Sequence, residues 1–211
     1  MAKTRENKTI SQFKQKLVGG GARPNLFEVQ VDFPAGVDLG IQGDNTATMR
    51  DTDVQDKFRF LCKAASLPAS NVGNIDIPFR GRTFKIAGDR TFEAWTITVI
   101  NDESFGHYKS FQAWAQNLAQ YGDSSGLVDP QSYMGQATVY QLGRSDATMQ
   151  TNNSPATDSK ILAQYKFVDI WPSTVSNIDL SYDSSDAIEE FTVDLQVQYW
   201  YPKEQVLNPD K

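Results

Sequence analysis

The sequence predicts a mainly β protein, an antiparallel β-sandwich or partly closed barrel with one long flanking α-helix. Three observations support this prediction. About eight short segments alternate apolar and polar residues, which is the period of a half-buried strand. Only one long segment has helical spacing, and no β-α-β alternation is present, so a parallel sheet is not expected. The 211 residues suffice for one domain with insertions and a real core.

The N-terminal segment 1–24 is predicted to be a basic arm with a short helix. Within residues 9–18, Ile10, Phe13 and Leu17 share one side at helical spacing, and three consecutive glycines follow. A helix of about ten residues is marginal by itself and needs a surface to pack on. That surface is either the chain's own domain or a neighbouring copy, which makes these three residues candidate inter-subunit contacts.

Charge is distributed unevenly along the chain, whose formal net charge is −6. The arm holds six basic residues and one acidic residue, a net charge of +5, which leaves −11 for the rest. An acidic body repels phosphate, which argues against general binding of nucleic acid. The arm could bind nucleic acid or dock on the acidic body of another copy, and the charge distribution favours the second.

Residues 25–200 are predicted to form the β domain, with a frayed C-terminal tail at 201–211. Two polar segments, 34–55 and 144–159, are expected as insertions on the surface. The predicted strands are 25–33, 57–65, 92–100, 132–142, 160–170, 178–182 and 188–200, with a hairpin over 75–87.

The hairpin is predicted around the tight turn Arg80-Gly81-Arg82 between two apolar segments. Pro78 cannot donate to a strand ladder, so the hairpin belongs at an edge or projects from the sheet. Two arginines on an acidic protein are expected to meet acidic groups on an adjacent subunit. Arg80 and Arg82 are therefore candidate inter-subunit contacts.

The long helix is predicted over about 103–120, capped by Asn101 or Asp102. Its apolar stripe is one-sided, which is typical of a helix that packs across a sheet. The stripe consists of Phe111, Trp114, Leu118 and Tyr121.

The strand 188–200 alternates for nine residues, with one apolar face and one polar face that carries Asp194, Gln196 and Gln198. A sheet with a polar face and unpaired edges either faces water or joins the edge of a neighbour to make a larger barrel. Copies joined by a constant rotation close into a ring. Asp194, Gln196 and Gln198 are therefore candidate lumen-facing residues.

Residues for catalysis are scarce. The chain has one histidine, His107, which removes most nucleophile–base pairs and most metal sites. We expect His107 on the surface or half-buried in the first turn of the helix, and the single cysteine, Cys62, buried as a small hydrophobe. No apolar segment approaches the roughly 20 residues of a membrane helix. We expect a non-enzymatic structural protein without cofactor, metal site or membrane anchor.

Several segments resemble, in their order, the tail tube proteins of contractile-tailed bacteriophages. The resemblance implies hexameric rings that stack into a hollow tube, with each subunit giving strands to a ring-shaped inner β-barrel. The type VI secretion tube protein is similar in plan. The segments are 22–29, 62–68, 87–99, 101–103, 171–172 and 190–200, which together span most of the chain from 22 to 200.

The resemblance also implies partners and a location. The partners are further copies of the chain, the sheath protein, and the baseplate and tail terminator proteins. Genomic DNA would pass through the lumen without specific binding. The protein would be part of the virion tail and be assembled in the host cytoplasm. Segments 34–55 and 144–159, the extended N-terminal arm and the C-terminal tail depart from the family pattern and are expected to face outward or cover neighbouring rings, because they would block a narrow bore.

Two alternatives remain open. A baseplate protein of the same fold would initiate the tube and differ in copy number per particle. A β-sandwich carbohydrate- or receptor-binding module, from another class, would need aromatic residues exposed on loops, whereas these tryptophans fall mainly in strands and the helix.

Overall fold

The computed structural model describes residues 9–17, 21–34, 58–143, 161–183 and 187–203. Its main elements are eight strands, which confirm the mainly β class. The strands are β1 Phe27–Asp32, β2 Cys62–Ala65, β3 Ser70–Phe79, β4 Arg82–Phe92, β5 Trp95–Ile100, β6 Gly135–Leu142, β7 Ile161–Val175 and β8 Glu190–Pro202. The helices are α1 Ile10–Lys16, α3 Gly106–Leu118 and α4 Pro130–Tyr133, and residues 58–61 form a helical turn, α2.

Six of the strands form one antiparallel sheet in the order β1-β6-β7-β8-β5-β2. Its two edge strands, β1 and β2, approach each other, so the sheet curls into a nearly closed barrel. Arg59 in α2 strengthens this closure. Its Nε lies 3.2 Å from Glu28 Oε1, and its Nη2 donates to Gln30 Oε1 at 2.9 Å.

The core lies inside this barrel, where β5 and β8 present alternate residues inward. Trp95 lies opposite Leu195 and stacks on Phe167 of β7 with 4.3 Å between the ring centroids. Burial of large apolar side chains is the main favourable term in folding. The fully buried residues of β5 and β8 are Trp95, Ile97, Val99, Val193 and Leu195.

Helix α3 packs across the sheet with Phe111 and Trp114 buried and Leu118 partly buried, as predicted, but it ends at Leu118, and the predicted stripe residue Tyr121 is exposed. The predicted cap is wrong, because the helix begins at Gly106 after Phe105, which has a left-handed φ of 54°. Asn101 is buried and donates from Nδ2 to Glu189 Oε2 at 3.1 Å. Asp102 instead accepts from the Ser104 hydroxyl at 2.7 Å, so neither side chain caps the helix.

Strands β3 and β4 form a separate two-stranded sheet, which confirms the predicted projecting hairpin. The hairpin is longer than predicted, and most of its residues are exposed. Arg80 and Gly81 form the two-residue turn with φ values of 43° and 82°. Positive φ at both positions matches the turn that suits the twist of a hairpin.

Residues 57–65 were predicted as one strand, and this is wrong for its first half. Residues 58–61 are helical, and the strand begins at Cys62. Phe58 and Cys62 are buried four residues apart, whereas Phe60 is 85% exposed. Burial with that spacing follows the helical period, which a short apolar run cannot reveal.

The predicted strand 178–182 is also wrong, because residues 176–183 join no strand ladder. Leu180 and Tyr182 are exposed. Strand β8 ends later than predicted, since Tyr201 and Pro202 pair with β7. The predicted insertions 34–55 and 144–159 lie outside the described residues, apart from Pro34.

His107 is buried, contrary to the expected surface or half-buried position. Its ring and the Phe58 ring are nearly perpendicular, with 5.6 Å between centroids, at the start of α3. Cys62 is buried as predicted. Within the described ranges, no helix combines the length and apolarity needed to cross a membrane.

Candidate assembly surfaces

The β3–β4 hairpin has an apolar face and a polar face. Ile75 pairs with Ile86 and Ile77 with Phe84, and successive side chains on a strand alternate between faces. The apolar hairpin face consists of Ile75, Ile77, Phe79, Phe84 and Ile86, which are 42–65% exposed. The polar hairpin face consists of Asn74, Asp76, Thr83 and Lys85 together with Pro78 and Ala87, while Arg82, the partner of Phe79, lies at the tip end of the apolar hairpin face. A contiguous apolar surface of this kind marks an interaction site.

The tip of the hairpin is positively charged. The Arg80 guanidinium lies over the Phe79 ring, 5.4 Å from its centroid, and Arg82 pairs with Phe79 across the turn. Neither guanidinium has a carboxylate partner among the residues that the structure describes. The two predicted contact residues therefore lie together at the exposed end of the hairpin.

Helix α1 presents the predicted apolar stripe to solvent. The Thr9 hydroxyl accepts from the Gln12 amide at 3.4 Å, and Gln12 Oε1 accepts from the Thr9 amide at 3.1 Å, which forms a capping box. Ile10, Phe13 and Leu17 are 75%, 65% and 44% exposed, with Leu17 just past the helix end. The stripe is formed but uncovered.

The predicted polar face of β8 lies outside the barrel. Leu195 is fully buried, and Asp194 and Gln196 on either side of it point the other way. Asp194 Oδ1 accepts from the Thr96 hydroxyl at 2.7 Å, so this carboxylate is held against β5. Gln196 and Gln198 are exposed.

The predicted alternation in β8 does not continue to its end. Asp169 on the adjacent β7 has a left-handed φ of 54° and is skipped in the pairing with β8, so the buried residues Phe167 and Ile170 are three apart instead of two. Trp200 pairs with Phe167 and meets the Phe92 ring of β4 at 6.3 Å between centroids. The end of β8 therefore lies against the base of the hairpin, a contact that the sequence pattern did not reveal.

The remaining polar groups do not assemble a catalytic or metal site within the described residues. The adjacent carboxylates Glu189 and Glu190 have different partners, Asn101 and Lys63 respectively. Burial raises the pKa of the Cys62 thiol to about 12, so the thiol stays protonated at neutral pH. No group of three histidine, cysteine or carboxylate side chains among the described residues is placed to hold a metal ion.

Comparisons with known proteins agree with this arrangement. The family described as phage tail tube protein matches residues 22–203. The tail tube protein gp19 of Enterobacteria phage T4 is 32% identical over 182 residues, which are 86% of this chain and 92% of that protein. The tail tube protein of Serratia phage KSP90 is 25% identical over 190 residues, 89% of this chain and 93% of that protein.

Solved structures share the fold at low sequence identity. A chain of the sheath/tube terminator of the extracellular contractile injection system PVC has a TM-score of 0.53 and 12% identity, covering 87% of this chain and 97% of that one. A chain of the anti-feeding prophage baseplate has a TM-score of 0.52 and 10% identity, covering 87% and 95%.

Proposed function

The chain belongs to the phage tail tube protein family, and we propose that it forms six-membered rings that stack into the hollow tube of a contractile phage tail. The observation that carries this proposal is the projecting β3–β4 hairpin. A two-stranded hairpin is at best marginally stable alone in water. This one leaves the barrel and exposes an apolar face, so it is built to complete a surface that a second copy supplies.

In the proposed ring, the hairpin supplies two strands of a shared inner barrel. β3 pairs only with β4 among the described strands, so its other edge is open to a neighbour's strand. Head-to-tail contacts related by a constant rotation close into a ring. The apolar hairpin face then turns toward protein and the polar hairpin face toward the bore.

The proposed bore is polar and close to neutral. Between the hairpin tip and the bulge its charged residues are Asp76 and Lys85, which pair across the two strands, and Arg90 pairs with Val72 beyond the bulge. Gln196 and Gln198 of β8 extend the wall, while Asp194 is held by Thr96 beside them. A wall without excess positive charge releases few counterions from DNA, so genomic DNA can pass without being retained.

The proposed partners are the sheath, the baseplate and the tail terminator, and the proposed location is the virion tail after assembly in the host cytoplasm. Support comes from the fold shared with chains of a contractile-system baseplate and of a sheath/tube terminator. Each ring of a stacked tube contacts another ring on both of its sides. A protein of the same fold can offer the same ring surface, so it is suited to begin or to end the stack.

A baseplate initiator of the same fold is the second candidate, because a baseplate chain has a TM-score of 0.52 to this one. The 32% identity to a tail tube protein favours the tube itself. The carbohydrate-binding alternative needs tryptophans exposed on loops, but Trp95 and Trp114 are fully buried.

Copy number per particle separates the two candidates. Quantitative mass spectrometry of purified virions gives the number of chains per tail when the signal is divided by that of a protein with a known copy number per tail. A tube protein is present as many rings of six, whereas an initiator is present as one ring. A single ring per tail would contradict the proposal and support the initiator.

A further inference from the structure

We propose that helix α1 of one subunit packs on the apolar hairpin face of a neighbouring copy. This inference rests on the proposed function, because it assigns a partner surface within the ring or between stacked rings. Both surfaces are fully formed on the isolated chain. Both are exposed, and neither is covered by another described element.

The two surfaces match in length. Ile10 to Leu17 spans about 10 Å at 1.5 Å per residue of helix. Ile75 to Phe79 spans about 13 Å at 3.3 Å per residue of strand. A helix laid along this hairpin therefore meets the whole ladder with its three apolar residues, and Phe13 falls near the central pair of Ile77 and Phe84.

The chemistry of the two surfaces matches as well. Lys14 and Lys16 flank the apolar stripe of α1 on its two sides, and their long side chains reach water when the stripe is covered. The short helix gains stability only from packing, since its capping box orders the first turn but buries no apolar area. The hairpin in turn loses most of its exposed apolar area under such a helix.

A second copy is the occupant that can supply this helix. The arm has a net charge of +5 and the remainder of the chain −11, so arm and body of different copies attract as wholes, while the hairpin itself is net +2, with Arg80, Arg82, Lys85 and Arg90 against Asp76 and Asp89. Charge therefore favours the approach of a second copy, and burial of the two apolar surfaces holds the helix on the hairpin. Every copy carries one helix and one hairpin, so a closed or stacked assembly satisfies all of them. Within one chain the contact is not made, because Ile10 and Phe13 remain exposed although the hairpin is also free.

Charge also sets the direction of the helix on the hairpin. Lys14 and Lys16 lie in the last turn of α1 and are repelled by the two arginines of the hairpin tip. The base of the hairpin carries Asp89 and Glu93 beside one cation, Arg90. The C-terminal end of α1 therefore points to the base, which brings Ile10 toward Phe79 at the tip.

Disulfide crosslinking in assembled tubes tests the contact. Phe13→Cys and Ile77→Cys are placed in two differently tagged chains, which are co-assembled, oxidised and analysed on a non-reducing gel. Cys62 can stay, because it is buried and its pKa is raised to about 12. The matched control replaces Ile77→Cys by Asp76→Cys, which is adjacent in β3 but on the polar hairpin face.

We expect a mixed-tag dimer with Phe13→Cys and Ile77→Cys, and at least about tenfold less with Asp76→Cys, because a disulfide requires Cα atoms within about 7 Å. The same experiment with Ile10→Cys and Phe79→Cys tests the direction of the helix. Intact tubes without either mixed dimer would overturn the inference and leave the proposed function standing. A chain carrying both substitutions that forms only an intrachain disulfide would overturn it too. Failure of the unsubstituted chain to form tubes would instead count against the proposed function.

Discussion

Ile77 lies directly opposite Phe84 in the β3–β4 hairpin, and the two side chains are 42% and 63% exposed. A cross-strand pair of this kind adds about 0.2–1 kcal/mol to a sheet. About half of the area of this pair nevertheless remains in water. The hairpin therefore carries an assembly surface that is complete before a neighbour arrives.

Replacing Ile77 by Asp is expected to abolish tube formation while the subunit stays folded. The exposed position limits the loss of folding stability to about 0.5 kcal/mol. A charge buried at an interface without a partner costs far more. Electron microscopy and sedimentation measure assembly, and circular dichroism measures folding. The control Thr83→Asp, on the polar hairpin face, should still form tubes; loss of tubes in both variants would point to a general defect of the hairpin.

Charge reversal at the hairpin tip is expected to impair polymerisation more than neutralisation does. Arg80 has a φ of 43°, and Asp and Asn both tolerate that conformation, so the turn survives in either variant. The test compares two double variants. One reverses the charge at both positions (Arg80→Asp and Arg82→Glu), and the other neutralises it (Arg80→Asn and Arg82→Gln). If the tip meets acidic groups, the reversed pair raises the concentration needed for assembly well above that of the neutral pair. Equal assembly concentrations for the two double variants would show that the charge of the tip does not contribute to the contact.

A basic wall is expected to slow genome ejection. The substitutions are Gln196→Lys with Gln198→Lys, which leave the Asp194–Thr96 hydrogen bond intact. Lysines that face DNA release counterions and retain the duplex, with a strong dependence on salt. Ejection kinetics followed by dye fluorescence should slow at low salt and recover at high salt. The matched control has Glu at both positions, and unchanged kinetics in the lysine variant would place these residues away from the bore.

Gly135→Ala is expected to destabilise the barrel. A Cβ atom at this position would lie 2.7 Å from the Asp32 carbonyl oxygen and 3.0 Å from the Trp114 ring. Overpacking of a close-packed core costs about 1–3 kcal/mol. Gly122→Ala is the control, since no atom lies within 4 Å of its added Cβ. Thermal unfolding should show a lower Tm for Gly135→Ala than for Gly122→Ala. Equal Tm values would show that β1 and α3 move enough to accommodate the added methyl group.

The Cys62 thiol is expected to react slowly in the folded protein. Its pKa is raised from 9.0 to about 12 by burial, which favours the protonated form in the folded state. The folded state then holds a proton that the unfolded state releases, so stability is full below pH 9 and falls as pH rises toward 12. Cys62→Ala should flatten this alkaline decline in urea unfolding. Rapid labelling of the folded protein at pH 8 would show that the thiol is open to solvent.

The sequence predicted the fold class well, because alternation is a local property. β5 and the first half of β8 follow it residue by residue, and the hairpin turn was placed correctly by Gly81 between the two arginines. The predicted boundaries of the elements were wrong where tertiary contacts determine the backbone conformation. The segment around Phe58 is helical because Phe58 and Cys62 both reach the core, and the phase of β8 changes opposite Asp169.

The assembly surfaces were predictable only in part. The stripe Ile10, Phe13 and Leu17 and the tip arginines could be recognised from spacing and charge. The apolar hairpin face was not predicted, since its two halves share a face only in the register that the two-residue turn at Arg80 and Gly81 sets between β3 and β4. The contact of Trp200 with Phe92 joins distant segments that no local pattern relates.

Electron cryomicroscopy of tails at side-chain resolution is the most direct test of the proposed tube. We expect six copies of this chain per ring, rings stacked at a constant rise around an open channel, and the β3–β4 hairpin within the shared inner barrel. Its polar face should line the channel and its apolar face should be covered by protein. A map with a different symmetry, with a filled axis, or with the hairpin exposed on the outside of the tube would contradict it.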